Sequence, residues 1–197
     1  IHRGFFAYNN SKYRNIPQWQ LPIELRQRIP GIPMICDPSH ISGNRDLIFD
    51  ISQKAIDMNY DGLMIETHIN PNEALSDNSQ QINPDQLNNI LNNLVIRNSE
   101  IENDEFKSSL RELRIQIDDL DNELLDVLKR RMNVAEKIGV HKKEKGVTIL
   151  QSKRWKQLFS SRIQNGVKSG LSEEFMSRLL KAIHQESINR QTKIMNK

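Results

Sequence analysis

The chain has 197 residues, 37% hydrophobic and 27% charged, which is ordinary for a protein that buries a core and unlike a disordered chain. Its single cysteine excludes an internal disulfide. Since no apolar run approaches the roughly 20 residues that span a bilayer and no secretory leader opens the chain, we expect a cytoplasmic protein with no membrane contact.

The formal net charge of +3 is divided unevenly along the chain. Through Asn103 there are 8 basic and 12 acidic residues, a net of −4, whereas from Asp104 onward there are 20 and 13, a net of +7. Nucleic acid is one possible partner for a basic half. However, the basic residues are interleaved with acids and aromatic residues are few, so we expect no nucleic acid, and a small anionic ligand fits as well.

The first 97 residues alternate short apolar runs with helical periods. The expected elements are a helix near Ile23–Arg28, a strand at Ile32–Ile35, a helix at Asp46–Met58, a strand at Gly62–Ile65 and a helix at Pro84–Val95. This alternation is typical of right-handed βαβ units. A closed barrel needs eight such units, and the chain begins abruptly, so we expect the C-terminal strand–helix units of a truncated TIM (β/α)8 barrel.

Three candidate metal ligands follow apolar runs in this region: His40, Glu66 and Asp77. Ligands at the C-terminal ends of parallel strands converge on one edge of a barrel. One nitrogen and two oxygen donors suit a divalent transition metal, although they fall one ligand short of a closed site. Cys36 is expected to be a buried small hydrophobe.

A polar, acidic stretch without periodicity, residues 98–108, predicts a linker between a 1–97 domain and a 109–197 domain. Apolar residues then recur at threes and fours from Leu110 to Ile138 and predict one long amphipathic helix. Drawn from Asp104 to Lys145, it would reach roughly 60 Å and so needs a partner, most simply a second copy of itself. Two further helices are expected, one at Ser152–Gln164 and one that Ser172 caps.

Polar residues interrupt the apolar stripes of these helices. They are Arg114, Arg131 and Lys142 on or beside the long helix's stripe, and Ser187 and Gln191 on the third helix. On pattern alone, an Arg131 that reaches the surface or pairs with an acid is an equal alternative. The coincidence of five such residues favours a cationic pocket for a dicarboxylate.

The second half resembles the all-α chorismate mutases that form intertwined dimers, from roughly Leu110 to Gln191. The matching motifs are Leu113-Arg114, Ile117-Asp118, Leu120-Asp121, Glu123-Leu124-Leu125, Arg131, Gly139, Lys142, Glu186-Ser187 and Gln191. The resemblance implies a homodimer of three-helix domains that rearranges chorismate to prephenate in one pericyclic step, without a cofactor. Catalysis there is orientation and electrostatic preorganisation.

The same resemblance implies a role for each polar residue. Arg131, Ser187 and Arg114 of the partner subunit would hold the carboxylates, while Lys142 and Gln191 would be the catalytic donors to the ether oxygen. Arg154 matches an arginine of the family's second helix, but Gln151 and Trp155 stand where the family has acids. Gln151 can still meet the substrate hydroxyl.

The first half resembles the C-terminal third of barrel-type DAHP synthases, which condense phosphoenolpyruvate with erythrose 4-phosphate. The matching motifs are His2-Arg3-Gly4, Asp37-Pro38-Ser39-His40, Gly43-Asn44-Arg45-Asp46, Asp61-Gly62-Leu63 and Ala74-Leu75-Ser76-Asp77. The resemblance implies His40, Glu66 and Asp77 as ligands of Mn, Fe, Co or Zn, and Arg3 as a phosphoenolpyruvate contact. The family's fourth ligand, an early cysteine, is not among these residues, so no synthase activity is expected from them alone.

Together the two resemblances imply a bifunctional enzyme whose competent activity within these residues is the mutase. Two other functions stay open for the helical half. It is either a regulatory dimerisation module that binds prephenate or chorismate without turnover, or a purely structural module that binds neither.

Overall fold

The computed structural model of the chain describes residues 1–6, 8, 11–97 and 103–196. They form two compact units, Ile1–Glu102 and Asn103–Lys197. Of the predicted linker, residues 98–102 lie outside the described residues, and 104–108 form the first turn of a helix instead of an irregular segment. The cause is Asn103, whose side chain accepts a hydrogen bond from the backbone N–H of Phe106 and caps the helix there.

The first unit is built on two short parallel strands and the helices around them. Its elements are α1 Gln20–Arg28, β1 Ile35–Cys36, α2 Pro38–Ser42, a 3-10 turn Arg45–Leu47, α3 Ile48–Asp57, β2 Gly62–Leu63, a 3-10 turn Pro71–Glu73 and α4 Pro84–Asn93. Ile35 pairs with Gly62 and Cys36 with Leu63. The predicted strand–helix–strand order is therefore present, with α2 and α3 as the crossover.

Several predicted boundaries need correction. β2 ends at Leu63 and α4 at Asn93, each two residues before its predicted end, and three differences are larger. The first strand lies at β1 and not at Ile32–Ile35, since Pro33 has no N–H to give to a ladder. The predicted Asp46–Met58 helix is divided into a 3-10 turn and α3, because the Asn44 side chain caps the turn. The extra helix α2 was not predicted, and it carries His40.

The core of this unit lies between β1 and the crossover helices. Its larger cluster consists of Met34, Cys36, Ile41, Ile51, Ala55 and Tyr60, and a second buried cluster consists of Ile48, Ile82 and Ile90. Cys36 is fully buried, and burial, with Asp37 as a smaller cause, raises the pKa of its thiol to about 12. The prediction of a packing role for this cysteine is confirmed.

A buried imidazole ties the start of the chain to this core. His2 Nε2 lies 2.6 Å from the carbonyl oxygen of Pro17, and His2 Nδ1 lies 2.9 Å from the Tyr60 hydroxyl. The Trp19 ring packs edge-on against it at 5.2 Å. Burial lowers the pKa of His2 from its ordinary value of 6.5, so the neutral ring is the one this packing selects.

The stability of the first unit is expected to fall in mild acid. Because the folded-state pKa of His2 is depressed, its contribution to the free energy of unfolding is complete above about pH 6.5 and is lost as the pH falls below it. Urea unfolding of the full chain, followed by Trp19 fluorescence in a Trp155→Phe background, should show a lower midpoint at pH 5.5 than at pH 7.5. A His2→Asn variant should show a smaller difference, and an equal one would contradict the assignment.

The second unit consists of three helices: α5 Asp104–Glu144, α6 Ser152–Lys168 and α7 Glu173–Met195. The Ser172 side chain accepts from the backbone N–H of Phe175 and caps α7 as predicted. The 41 residues of α5 extend for about 60 Å, so the predicted long helix is confirmed. None of the helices among the described residues has the length and apolar character to cross a membrane.

The C-terminal part of α5 packs closely against α7. Met132, Ala135 and Gly139 are buried there. A Cβ atom built on Gly139 would lie 3.2 Å from the Cα of Gln191, so the two backbones approach at that point more closely than most side chains allow.

The described residues leave the apolar stripe on the N-terminal part of α5 uncovered. Five of its residues are each between 49% and 63% exposed: Leu113, Ile117, Leu120, Leu124 and Val127. We refer to these five as the exposed stripe. Patches of this kind mark sites of association.

Candidate functional site

The three predicted metal ligands lie together in the first unit. Ligand atoms of His40, Glu66 and Asp77 are all within 4.8 Å of one another, and His40 Nε2 is 3.5 Å from Glu66 Oε1. His40 comes from α2, Glu66 from the segment after β2, and Asp77 from the following loop, where its φ of 49° is left-handed. The fold thus brings two carboxylates and one imidazole, which are far apart in the sequence, to one point.

Asp37 lies directly behind the imidazole of His40. Its Oδ1 accepts from the backbone N–H of His40 at 3.0 Å and caps α2, while its Oδ2 lies 2.8 Å from His40 Nδ1. Arg3 Nε is 3.2 Å from the same Oδ2. Asp37 is fully buried, so His40 Nε2 is left as the nitrogen that faces Glu66.

Gln80 and Arg14 hold the two carboxylates. Gln80 Nε2 donates to Glu66 Oε2 at 2.7 Å, and Arg14 donates to both Gln80 Oε1 and Asp77 Oδ1 at 2.7 Å. Gln80 is fully buried. One oxygen of each carboxylate is therefore occupied by a neighbour, which leaves the other for a ligand.

This donor set fits a divalent transition metal. A ligating histidine whose other nitrogen meets a carboxylate, and ligating carboxylates that are themselves hydrogen-bonded, are the usual surroundings of such ions. Sequence reasoning did not assign roles to Asp37, Arg14 or Gln80. The Asp-Pro start of α2 was the available signal for Asp37, whereas Arg14 and Gln80 are brought in by loops without a sequence signature.

The second unit contains a cleft of about 400 Å³ where its three helices meet. Six of the predicted residues line it: Arg131, Lys142, Gln151, Arg154, Ser187 and Gln191. Apolar walls come from residues such as Val134, Ile138 and Leu158. Four of the five polar positions on or beside the apolar stripes, Arg131, Lys142, Ser187 and Gln191, are therefore brought together in space.

Arg131 and Ser187 join α5 to α7 across this cleft. The Arg131 guanidinium donates to Ser187 Oγ at 2.5 Å, and Ser187 Oγ donates to the carbonyl of Ile183 at 2.8 Å. Burial lowers the pKa of Arg131, yet a guanidinium stays charged at neutral pH. Of the two readings of Arg131 left open by the sequence, the structure shows the one that faces a cleft.

Lys142 and Gln191 both line the cleft. Lys142 Nζ donates to the carbonyl oxygen of Ile149 at 2.5 Å, and burial lowers the pKa of its ammonium group. Gln191 is buried, and its Oε1 has no hydrogen-bond partner among the described residues. Gln191 Nε2 donates to the carbonyl oxygen of Ser187 at 3.3 Å. Both side chains therefore already act as donors in the cleft, and both can exchange these partners for a ligand.

Arg114 is the predicted residue that this cleft does not contain. It is exposed on α5, and 17 residues separate it from Arg131, which is about 25 Å along a helix. His184 and Trp155, by contrast, line the cleft and were not assigned a binding role from the sequence. The available signal for His184 was its spacing of three and seven residues from Ser187 and Gln191 on one helix.

Comparison with protein families agrees with the two units. Residues 1–102 match the model of the DAHP synthetase I family. The chain belongs to this family. Residues 113–192 match the model of chorismate mutase type II, so one polypeptide joins segments of two enzyme families, and the predicted fusion is confirmed.

Curated relatives are consistent with both halves. A phospho-2-dehydro-3-deoxyheptonate aldolase of Thermotoga maritima is 33% identical over 80 residues, 41% of this chain and 23% of that protein. The T-protein of Haemophilus influenzae is 28% identical over 82 residues, 42% of this chain and 22% of that protein. The chain thus spans less than a quarter of the length of either relative.

One solved structure with similarity to the chain is described as a truncated form of 3-deoxy-D-arabino-heptulosonate 7-phosphate synthase from Thermotoga maritima. It is 27% identical, with a TM-score of 0.41 over 45% of this chain and 33% of that one.

Proposed function

We propose that the second unit is a chorismate mutase. The observation that carries this proposal is the convergence of three cationic side chains, a serine and two amides on one cleft of about 400 Å³. A ligand with two carboxylates suits the guanidinium groups that line this cleft, Arg131 among them. The rearrangement of chorismate to prephenate transfers no proton, so orientation and charge stabilisation suffice.

The roles within the cleft differ by where charge develops. Arg131 and Ser187 are in contact with each other and hold a carboxylate in substrate and transition state alike. Lys142 and Gln191 supply donors where the ether oxygen gains negative charge as its C–O bond breaks. Interactions that strengthen only in the transition state raise kcat.

We further propose that the mutase works as a homodimer through α5. The exposed stripe supports this, because a second copy of the same helix buries it. The position of Arg114 supports it independently. Since Arg114 lies about 25 Å along α5 from Arg131, only the partner subunit's Arg114 can serve a cleft that Arg131 lines.

The direct test of the mutase is the loss of chorismate absorbance on addition of the full chain, with prephenate identified as the product. A regulatory module is the second candidate, and Trp155 at the cleft wall, where the mutase family has an acid, is the observation in its favour. Saturable prephenate binding without turnover would establish that alternative. A protein that neither converts chorismate nor binds prephenate would exclude both.

For the first unit we propose a divalent metal centre held by His40, Glu66 and Asp77. A metal ion there supplies Lewis-acid activation of a carbonyl oxygen. Arg3 forms an ion pair with Asp37 and so lies beside this centre. Its guanidinium group can bind an anionic substrate such as phosphoenolpyruvate. Mn, Fe, Co and Zn all accept this mixed donor set.

Asp37→Asn is expected to weaken metal binding about 10- to 100-fold, although Asp37 is not a ligand. Asparagine keeps the cap of α2, so the loss isolates the carboxylate behind His40 Nδ1. Titration of the full chain with Mn²⁺, followed by the electron paramagnetic resonance of the free ion, measures the effect. Asp46→Asn, an exposed residue at the neighbouring 3-10 turn, is the matched control. Equal affinities in Asp37→Asn and the unaltered protein would contradict the proposed centre.

A further inference from the structure

Two aromatic rings form one wall of the helical cleft. Trp155 on α6 and His184 on α7 stack face to face, with ring centroids 3.7 Å apart and planes inclined by 8°. Phe159, one turn after Trp155, packs against the indole from the same helix at 5.0 Å. The Trp155 indole therefore holds the imidazole in one plane, and Phe159 in turn supports the indole.

The stack leaves one polar atom without a partner. His184 Nε2 is buried and makes no hydrogen bond to any described residue. His184 lies one turn before Ser187 and two turns before Gln191, both of which line the same cleft. A buried donor or acceptor without a partner costs free energy, and a ligand in the cleft can supply the missing partner.

The charge around His184 favours its neutral form. Burial, together with the charges of Arg131 and Lys142 on α5, lowers the pKa of the imidazole. From α6, Arg154 adds a further cation to the lining. Cationic side chains from both neighbouring helices therefore surround the imidazole, and the ring stays neutral at physiological pH.

We propose that His184, positioned by Trp155, binds the hydroxyl group of the dicarboxylate that occupies this cleft. The inference rests on the proposed function. A neutral imidazole nitrogen is either a donor or an acceptor, according to tautomer, and a hydroxyl group can pair with both. The carboxylates already have the forked guanidinium groups of Arg131, Arg154 and the partner subunit's Arg114, which suit them better. His184 is thus a specificity-determining residue that reads the uncharged part of the ligand.

Binding of prephenate and of 4-deoxyprephenate, which lacks only the hydroxyl, tests this inference. In a Trp19→Phe background Trp155 is the sole tryptophan of the chain, so its fluorescence reports ligand entry beside the stack. His184→Phe keeps a stacking ring and removes the nitrogen. We expect it to weaken prephenate binding about fivefold to tenfold and to leave the binding of the deoxy ligand unchanged.

Two further variants sharpen the test. His184→Gln places an amide nitrogen near the position of Nε2 without the ring, so it should keep part of the preference for the hydroxyl and show that the loss in His184→Phe is not a folding defect. His141→Phe, an exposed histidine of α5 outside the cleft, should bind both ligands as the unaltered protein does.

Other outcomes would overturn the inference. Equal losses for both ligands in His184→Phe would make the stack a packing feature only. A hydroxyl-specific loss in Gln151→Ala, with none in His184→Phe, would assign the hydroxyl to Gln151. The proposed function has a separate test. It fails if the unaltered protein does not convert chorismate, whereas this inference fails if His184 does not contribute to the preference for prephenate over 4-deoxyprephenate.

Discussion

Lys142→Ala is expected to lower kcat for chorismate rearrangement by about 10²- to 10³-fold while KM changes little. The Lys142 ammonium group donates to the Ile149 carbonyl in the cleft and can exchange that partner for the ether oxygen as it becomes negative. Removal of a donor that acts only in the transition state reduces kcat and kcat/KM together. Initial rates from chorismate absorbance measure both quantities. Gln191→Ala should show the same pattern.

The control for this prediction is the next residue. Lys143→Ala removes the same charge from the same turn of α5, but its side chain is exposed and its Nζ lies 3.4 Å from the carbonyl oxygen of Ile194. We expect it to retain normal kcat. A Lys142→Ala variant that raises KM with kcat unchanged would show that Lys142 binds the ground state and has no catalytic role.

Substitution of Leu120 and Leu124 together by aspartate is expected to convert the proposed dimer to a monomer and to reduce mutase activity to about 1% or less. Both residues belong to the exposed stripe, at 63% and 51% exposed. Each leucine contributes about 1.5–3 kcal/mol when buried, and an unpaired buried carboxylate costs several kcal/mol more, in both subunits. Size-exclusion chromatography with light scattering gives the mass, and initial rates give the activity.

Asn122→Asp is the matched control, because it adds a carboxylate to α5 between the two leucines but on another face of the helix. It should stay dimeric and active. A fully active monomer of the double variant would contradict the dimer requirement.

Complementation is an independent test of the dimer requirement. The Arg114→Ala and Arg131→Ala proteins should each be nearly inactive alone. Their mixture should regain activity, because a heterodimer contains one cleft with both arginines intact.

Periodicity predicted the helical unit well because its cause is local. The long helix and the placement of Arg131 and Ser187 on facing stripes follow from apolar residues spaced three and four apart, and the cap follows from the residue type of Ser172. What could not be predicted depends on non-local approach. The stacking of Trp155 on His184 and the bond from Lys142 to Ile149 are set by how α6 and its preceding loop return to the cleft.

The metal centre shows the same division. His40, Glu66 and Asp77 could be chosen from the sequence, since each is a ligand type placed after an apolar run. The strands themselves were drawn too long, because two-residue strands lie within apolar runs of four or five. Neither Gln80 nor Arg14 could be found, since both reach the carboxylates through tertiary packing alone.

The close approach of α5 and α7 at Gly139 has a consequence for how this unit tolerates change. In an isolated helix, alanine in place of glycine stabilises by about 1 kcal/mol, so ordinary selection for a sturdier α5 favours the extra methyl group. Here that group would meet the backbone of Gln191, one of the two proposed donors, at 3.2 Å. The position of Gln191 beside the cleft thus depends on a residue without a side chain. At this one position the stability of α5 as a helix and the placement of a proposed donor are opposing demands.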